Sequence, residues 1–132
     1  MIVVDASVLT PALADDDADG DRARERLRGE QLAAPELVDL EVVSTLRRAA
    51  RTGRLEQGRS TQALADLAAL PLRRVPHLPL LPRVWELRDN LTAYDAAYVA
   101  LAEALDVLLL TADRPLERAA GVRCEVEVLA QI

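Results

Sequence analysis

The chain has 132 residues, of which 51% are hydrophobic, and this length and composition predict one folded domain over residues 1–132. Its formal net charge of −6 at pH 7 is unusual for a nucleic-acid-binding protein. All 16 basic residues are arginines, and the absence of lysine excludes a P-loop or Schiff-base mechanism. Cys124 is the only cysteine, which excludes an internal disulfide and fits a reducing cytoplasm.

Export and membrane insertion are not expected from the sequence. Ala12-Leu13-Ala14 resembles a signal-peptide cleavage site, but no basic residue precedes it and Asp5 interrupts the apolar stretch. No apolar run approaches the ~20 residues that a membrane-spanning helix needs.

The predicted elements alternate between short strands and helices. In chain order they are a strand at 1–5, helices at 7–14 and 21–29, a strand at 32–34, helices at 36–52 and 55–70, a strand at 72–76, a helix confined by Pro79 and Pro82 that continues to Leu91, a helix at 92–105, a strand at 107–110, a short helix at 114–120 and a strand at 122–129. Asp19-Gly20 is predicted to break the chain between the first two helices. This alternation predicts an α/β fold whose parallel sheet has helices on both faces.

Acidic residues follow two of the predicted strands. Asp5 comes directly after the β-branched run Ile2-Val3-Val4, and Asp113 follows Leu108-Leu109-Leu110 and Thr111-Ala112. Open α/β folds bind ligands at the carboxyl ends of their strands, so these acids predict a carboxylate cluster that holds a divalent metal. With one histidine and one cysteine an N/S zinc site is excluded, and carboxylates favour Mg²⁺ or Mn²⁺.

Each of these acids also has a structural interpretation as a helix cap. Asp5 or Ser7 can cap the following helix, and Asp113 precedes Arg114-Pro115 at a predicted helix start. Asp95 closes the capping-box pattern Thr92-Ala93-Tyr94-Asp95. The two roles are compatible, because a helix N-terminus offsets part of a carboxylate's charge.

Glu41 lies inside the predicted helix 36–52, among apolar residues. A glutamate on an apolar helix face is rarely buried without a partner. This helix is apolar almost all round, so periodicity does not choose between Glu41 and Asp39, and a solvated Glu41 remains an equal alternative.

The charged residues are segregated along the chain. Five aspartates lie between residues 15 and 21, and two groups of arginines follow, at positions 22, 24, 26 and 28 and at positions 47, 48, 51, 54 and 59. Either arginine group can meet phosphates, and a solvated helix face is the alternative for each.

At this point the chain resembles the PIN-domain ribonucleases, and in particular the VapC-type toxins of bacterial toxin–antitoxin pairs. The segments that carry the resemblance are Met1–Ser7 with Asp5-x-Ser7, the helix segment Glu-Leu-Val-Asp-Leu-Glu41-Val-Val-Ser, the segment Leu-Thr-Ala-Tyr-Asp95-Ala-Ala-Tyr, and Leu-Leu-Thr111-Ala-Asp113-Arg-Pro. All four acidic motifs are present, in order, over the whole chain. The absence of Phe and Lys and the acidic segment 15–21 are departures, and the acidic segment leaves the RNA path open.

The resemblance implies a Rossmann-like α/β/α sandwich with a five-stranded parallel sheet. It implies a Mg²⁺- or Mn²⁺-dependent endoribonuclease, a VapB-type antitoxin partner and a homodimer. By this resemblance Asp5 and Asp95 bind the metal directly, Glu41 and Asp113 complete the acidic pocket partly through water, and Ser7 and Thr111 orient the carboxylates. We also expect spare apolar surface on the helices at 36–52 and 55–70 to receive an antitoxin helix.

Other classes of protein share parts of this pattern. A phosphoacceptor receiver domain would carry a lysine near its last strands, which this chain lacks. A non-catalytic PIN-like scaffold would have lost motif acids, and a nuclease for structured DNA would be longer. A PIN-type RNA-processing nuclease without an antitoxin remains the main alternative.

Overall fold

The computed structural model describes residues 1–131, which form a five-stranded sheet covered by helices. The strands are β1 (Ile2–Val4), β2 (Leu32–Pro35), β3 (Leu72–Val75), β4 (Leu109–Thr111) and β5 (Val126–Val128). Every pairing between neighbouring strands is parallel, and the spatial order is β3-β2-β1-β4-β5. The predicted α/β fold with a five-stranded parallel sheet is confirmed.

Two layers of helices enclose the sheet. The helices are α1 (Ala6–Ala14), α2 (Ala18–Leu27), α3 (Val38–Arg51), α4 (Gln57–Ala69), α5 (Leu81–Glu86), α6 (Ala93–Leu105) and α7 (Arg114–Glu117), and a 3-10 turn at Leu78–Leu80 precedes α5. Helix α1 packs on α2, α3, α4 and β4, whereas α6 packs on α5 and on β1, β2 and β4. Within residues 1–131, no helix combines the length and the apolar character that crossing a bilayer requires.

The centre of the core is aliphatic. Val3 of β1 lies between Ala33 of β2 and Leu109 of β4, and all three side chains are fully buried. Burying a valine or leucine side chain contributes ~1.5–3 kcal/mol, so this contact anchors the middle of the sheet. Among the aromatic residues, Tyr98 is buried in the core, whereas Trp85 is exposed.

The strand order places the ends of β1 and β4 side by side. The order reverses between these two strands, since β2 lies on one side of β1 and β4 on the other. Ligands of open α/β sheets bind at such a reversal, beyond the carboxyl ends of the strands. Asp5 follows β1 and Asp113 follows β4, so the topology brings these two acids to the same edge.

The predicted break at Asp19-Gly20 is wrong, because α2 begins at Ala18 and continues through Gly20. Gly20 is there to allow close packing. A Cβ atom at this position would lie 1.8 Å from the backbone oxygen of Asp15, at the end of α1. The glycine therefore permits α2 to approach α1.

Several other predicted elements are shorter in the structure, and the helix expected at 114–120 ends at Glu117. The helix expected to reach Leu91 ends at Glu86, and turns follow it. It cannot continue into α6, because Thr92 caps that helix from an extended backbone conformation. The strand expected at 122–129 pairs with β4 only over Val126–Val128.

Candidate active site

Asp5 is held at the junction of β1 and α1, where it is 5% exposed. Its Oδ1 accepts hydrogen bonds from the backbone N–H of Ser7 at 3.1 Å and from the Ser7 hydroxyl. Its Oδ2 accepts one from the Thr111 hydroxyl at 2.5 Å. Burial raises the pKa of Asp5 to about 6, the hydrogen bonds from Ser7 and Thr111 oppose this rise, and the negative charge of Asp95 adds to it.

Ser7 and Thr111 also join this carboxylate to the segment after β4. The Ser7 hydroxyl accepts a hydrogen bond from the backbone N–H of Ala112 at 2.8 Å. The Thr111 hydroxyl accepts one from the backbone N–H of Asp113 at 3.0 Å. Both hydroxyls therefore fix the orientation of the Asp5 carboxylate relative to the end of β4.

Asp95 and Asp113 lie at helix starts, as the capping alternatives predicted, yet their carboxylates face a shared environment. The Thr92 side chain caps α6 by accepting a hydrogen bond from the backbone N–H of Asp95 at 3.1 Å. Asp113 occupies the N-cap position of α7, but its side chain makes no capping hydrogen bond. The pKa of Asp95 is raised, first by burial and then by the charge of Asp113.

The structure distinguishes Glu41 from Asp39. Asp39 faces away from the acids and pairs with Arg74 of β3 at 2.8 Å. Glu41 is half-buried, and its Oε1 accepts a hydrogen bond from the hydroxyl of Tyr98 on α6. Burial raises the pKa of Glu41, the hydrogen bond from Tyr98 opposes this rise, and the charge of Asp95 adds to it.

Sequence reasoning missed Tyr98, which links the acid on α3 to helix α6. The signal was present, since Tyr98 follows Asp95 by three residues and such pairs share one face of a helix. Tyr98 is 1% exposed, and its pKa is raised by burial and by the adjacent Glu41, so the phenol stays protonated and donates its hydrogen bond.

An open cleft of about 1030 Å³ connects these residues. Asp5, Glu41, Asp95 and Asp113 line it together with Ser7 and Tyr98, whereas Thr111 lies buried behind Asp5. The pKa values of Asp5, Glu41 and Asp95 also show that the four acids are neighbours. The charge of Asp95 raises the pKa of both Asp5 and Glu41, and the charge of Asp113 raises the pKa of Asp95.

The donor set of this cleft suits a hard cation bound with few protein ligands. Within residues 1–131, no group of three or more histidine, cysteine, aspartate and glutamate side chains is arranged to hold a metal ion. Mg²⁺ usually takes one or two carboxylates and completes its shell with water and substrate phosphates. Burial is the main cause of the raised pKa values of Asp5, Glu41 and Asp95, and the charge of a neighbouring carboxylate adds to each rise. A cation bound among these acids relieves this added repulsion.

Comparison with known proteins identifies the same family that the acidic motifs and the fold indicate. The PIN-domain family model matches residues 2–122. Ribonuclease VapC9 of Mycobacterium tuberculosis is 44% identical over 129 residues, which cover 98% of this chain and 98% of that protein.

Two solved structures share the fold at low sequence identity. VapC20 of Mycobacterium tuberculosis, a Sarcin-Ricin loop cleaving toxin, has a TM-score of 0.72 at 18% identity and covers 93% of this chain and 97% of its own. VapBC2 of Rickettsia felis, solved bound to a promoter DNA fragment, has a TM-score of 0.64 at 15% identity, with 96% and 98% covered. The family model and the VapC9 relative confirm the resemblance seen in the motifs: the chain belongs to the PIN-domain family and, within it, to the VapC ribonucleases.

Proposed function

We propose that this chain is a metal-dependent endoribonuclease, the toxin of a VapBC-type toxin–antitoxin pair. The observation that carries this proposal is the gathering of four carboxylates, Asp5, Glu41, Asp95 and Asp113, on one cleft at the carboxyl edge of the sheet. VapC9, a ribonuclease by name, is similar over nearly the full chain, which supports RNA as the substrate.

In this proposal Asp5 and Asp95 hold Mg²⁺ or Mn²⁺, and Glu41 and Asp113 act partly through water. A bound ion of this kind supplies a water of lowered pKa and neutralises charge on the phosphate. The chain itself supplies rigid carboxylates, because Ser7 orients Asp5 and Tyr98 orients Glu41. Hydrolysis of the phosphodiester at this site is expected to leave 5′-phosphate and 3′-hydroxyl ends.

The N-terminus of helix α6 also contributes to this site. Asp95 lies in the first turn of α6, where unpaired backbone N–H groups give the helix a partial positive charge. This partial positive charge lowers the free-energy cost of keeping Asp95 ionised near Asp5, and a bound cation lowers that cost further.

Binding of an antitoxin is part of the same proposal. Leu40 and Val43 of α3 and Leu64 of α4 are exposed, which fits the apolar surface expected on these two helices. We place an amphipathic antitoxin helix on this surface, and an arginine of the antitoxin can pair with the carboxylates and compete with the metal. A homodimer and a cytoplasmic location remain predictions, and light scattering of the purified chain tests the former.

Cleavage of RNA with and without chelator tests the catalytic part. We expect the wild type to cleave total bacterial RNA with Mn²⁺ and to lose this activity in EDTA. Asp95→Asn should fold, because the side-chain volume is unchanged. It should be inactive, because it removes a charge from the metal site. Asp89→Asn, which changes an exposed acid on the turn after α5, is the matched control and should cleave normally. Full activity in EDTA would contradict the metal mechanism.

Co-expression tests the toxin part separately. Expression of the chain alone should slow bacterial growth, and co-expression of the product of the adjacent upstream reading frame should restore it. Cleavage of RNA in vitro without any effect on growth, and without binding of that product, would favour the RNA-processing nuclease instead.

A further inference from the structure

The cleft that contains the acidic residues is negatively charged overall, yet three arginines line one part of it. Nine carboxylates and three guanidinium groups lie along the cleft. The guanidinium groups come from Arg48 on α3, Arg54 in the connection from α3 to α4, and Arg59 in the first turn of α4. We call these three residues the arginine wall.

The arginines at positions 22, 24, 26 and 28 are not among the residues that line this cleft, and each has a partner elsewhere in the chain. Their partners are Ala130 for Arg22, Asp21 for Arg24, Glu127 for Arg26 and Glu25 for Arg28. Among residues 1–131, neither Arg48 nor Arg54 forms an ion pair, and both side chains are exposed. The structure therefore separates the two groups that the sequence left equivalent.

Arg59 differs from the other two arginines because its guanidinium group already forms an ion pair with a carboxylate. Its Nη2 donates to Oδ1 of Asp16 at 3.0 Å and its Nε donates to Oδ2 at 3.2 Å. Planar guanidinium groups bind phosphate in this same two-bond geometry. Asp16 thus takes the place that a phosphate oxygen would take on Arg59.

The segment that carries Asp16 is held firmly at the end of α1. Arg24 donates to the backbone oxygens of Ala12 at 3.1 Å and of Asp15 at 2.7 Å. The backbone N–H of Asp17 donates to Oδ1 of Asp15 at 2.7 Å. The Asp16 side chain itself remains 74% exposed, so its ion pair with Arg59 is weak and open to exchange.

We propose that the arginine wall binds the phosphate groups of single-stranded RNA next to the bond that the acidic residues cleave, and that Asp16 competes with the RNA for Arg59. This proposal rests on the proposed ribonuclease function and names the residues that position its substrate. It also explains how an acidic chain binds a polyanion: RNA contacts Arg48 and Arg54, which form no ion pair within residues 1–131, and Asp16 weakens its contact with Arg59.

Binding of a short fluorescein-labelled single-stranded RNA of mixed sequence, measured by anisotropy in Ca²⁺ over a range of salt concentrations, tests the wall. Recovered RNA is checked on a gel for integrity. Arg48→Gln and Arg54→Gln should each weaken binding several-fold and reduce the slope of log K against log salt by ~0.7, the value for one phosphate contact. Arg47→Gln is the matched control, since Arg47 is an exposed neighbour on α3 outside the cleft, and it should bind as the wild type does.

A double-mutant cycle tests the competition by Asp16. Asp16→Asn should tighten RNA binding by ~1.4- to 5-fold, the range expected from breaking an exposed ion pair, and Arg59→Gln should weaken it. In the Arg59→Gln background the gain from Asp16→Asn should disappear. An equal gain in both backgrounds would show general repulsion by Asp16 and would overturn the competition.

Two results separate failure of this proposal from failure of the proposed function. If the wild type cleaves RNA but Arg48→Gln and Arg54→Gln bind no differently from Arg47→Gln, the wall is refuted and the ribonuclease stands. If the folded wild type neither binds nor cleaves RNA, both proposals are refuted.

Discussion

Replacing Asp5 with asparagine tests how burial of this carboxylate affects the metal-free chain. Asp5 is almost completely buried, and burial raises its pKa from 3.8 to about 6. Because the folded-state value lies above the unfolded-state value, the folded state binds more protons between the two. The stability that protonation provides is therefore complete below the unfolded value, and it is lost as pH rises through about 6.

The size of this effect follows from the two pKa values. One pKa unit corresponds to ~1.36 kcal/mol, so complete ionisation lowers the free energy of unfolding by about 3 kcal/mol. Between about pH 5 and about pH 7.5, the loss from Asp5 alone is about 1.4 kcal/mol. The pKa values of Glu41 and Asp95 are also raised, so these residues add a loss of the same sign, which remains in the variant.

Urea unfolding in EDTA at these two pH values measures the effect. We expect the free energy of unfolding of Asp5→Asn to fall by about 1.4 kcal/mol less than that of the wild type over this interval. Asp89→Asn, the exposed control, should follow the wild type. The same pH dependence for wild type and Asp5→Asn would refute the view that Asp5 is a buried, destabilising carboxylate.

Two further predictions concern the hydroxyl of Tyr98 beside the cleft and the glycines of α2 and α4. Tyr98→Phe removes the hydroxyl that donates to Glu41, and it should lower the rate of RNA cleavage with Mn²⁺ about tenfold, equivalent to ~1.4 kcal/mol. The control Tyr94→Phe changes an exposed tyrosine and should cleave at the wild-type rate. Equal rates for the two variants would contradict a role for the Tyr98 hydroxyl. Gly20→Ala places a Cβ 1.8 Å from a backbone oxygen and should lower the free energy of unfolding by ~2 kcal/mol or more. In Gly58→Ala of α4 the added Cβ has no neighbour within 4 Å, so this variant should instead stabilise the protein by ~0.5–1 kcal/mol. Thermal melts of both variants measure the contrast, and equal melting temperatures would contradict it.

The sequence predicts the edge of the sheet on which the acids lie, because strand periodicity and parallel topology decide it. Asp5 and Asp113 each follow a buried run, and parallel strands end at one edge. Both residues also occupy N-cap positions, but only the Asp5 side chain makes a capping hydrogen bond, and it does so while belonging to the acidic site.

The contacts that the sequence could not predict join residues far apart in the chain. Choosing Glu41 over Asp39 depends on the rotation of α3, which places Asp39 against Arg74 and Glu41 against Tyr98. The break expected at Gly20 fails for the same reason, since local turn propensity does not reveal that a neighbouring helix needs the space.

Direct titration with Mn²⁺ tests most simply whether the acids form one metal site. Isothermal calorimetry on the wild type, Asp95→Asn and Asp89→Asn gives the affinity of each folded chain for the ion. The account predicts saturable binding to the wild type and to Asp89→Asn, and binding ~tenfold weaker or more in Asp95→Asn, because a carboxylate ligand is lost. At a hundredfold excess of Mn²⁺ over its Kd, the wild type should also gain ~2.7 kcal/mol in the free energy of unfolding. Equal Mn²⁺ affinity in the wild type and Asp95→Asn would contradict the account.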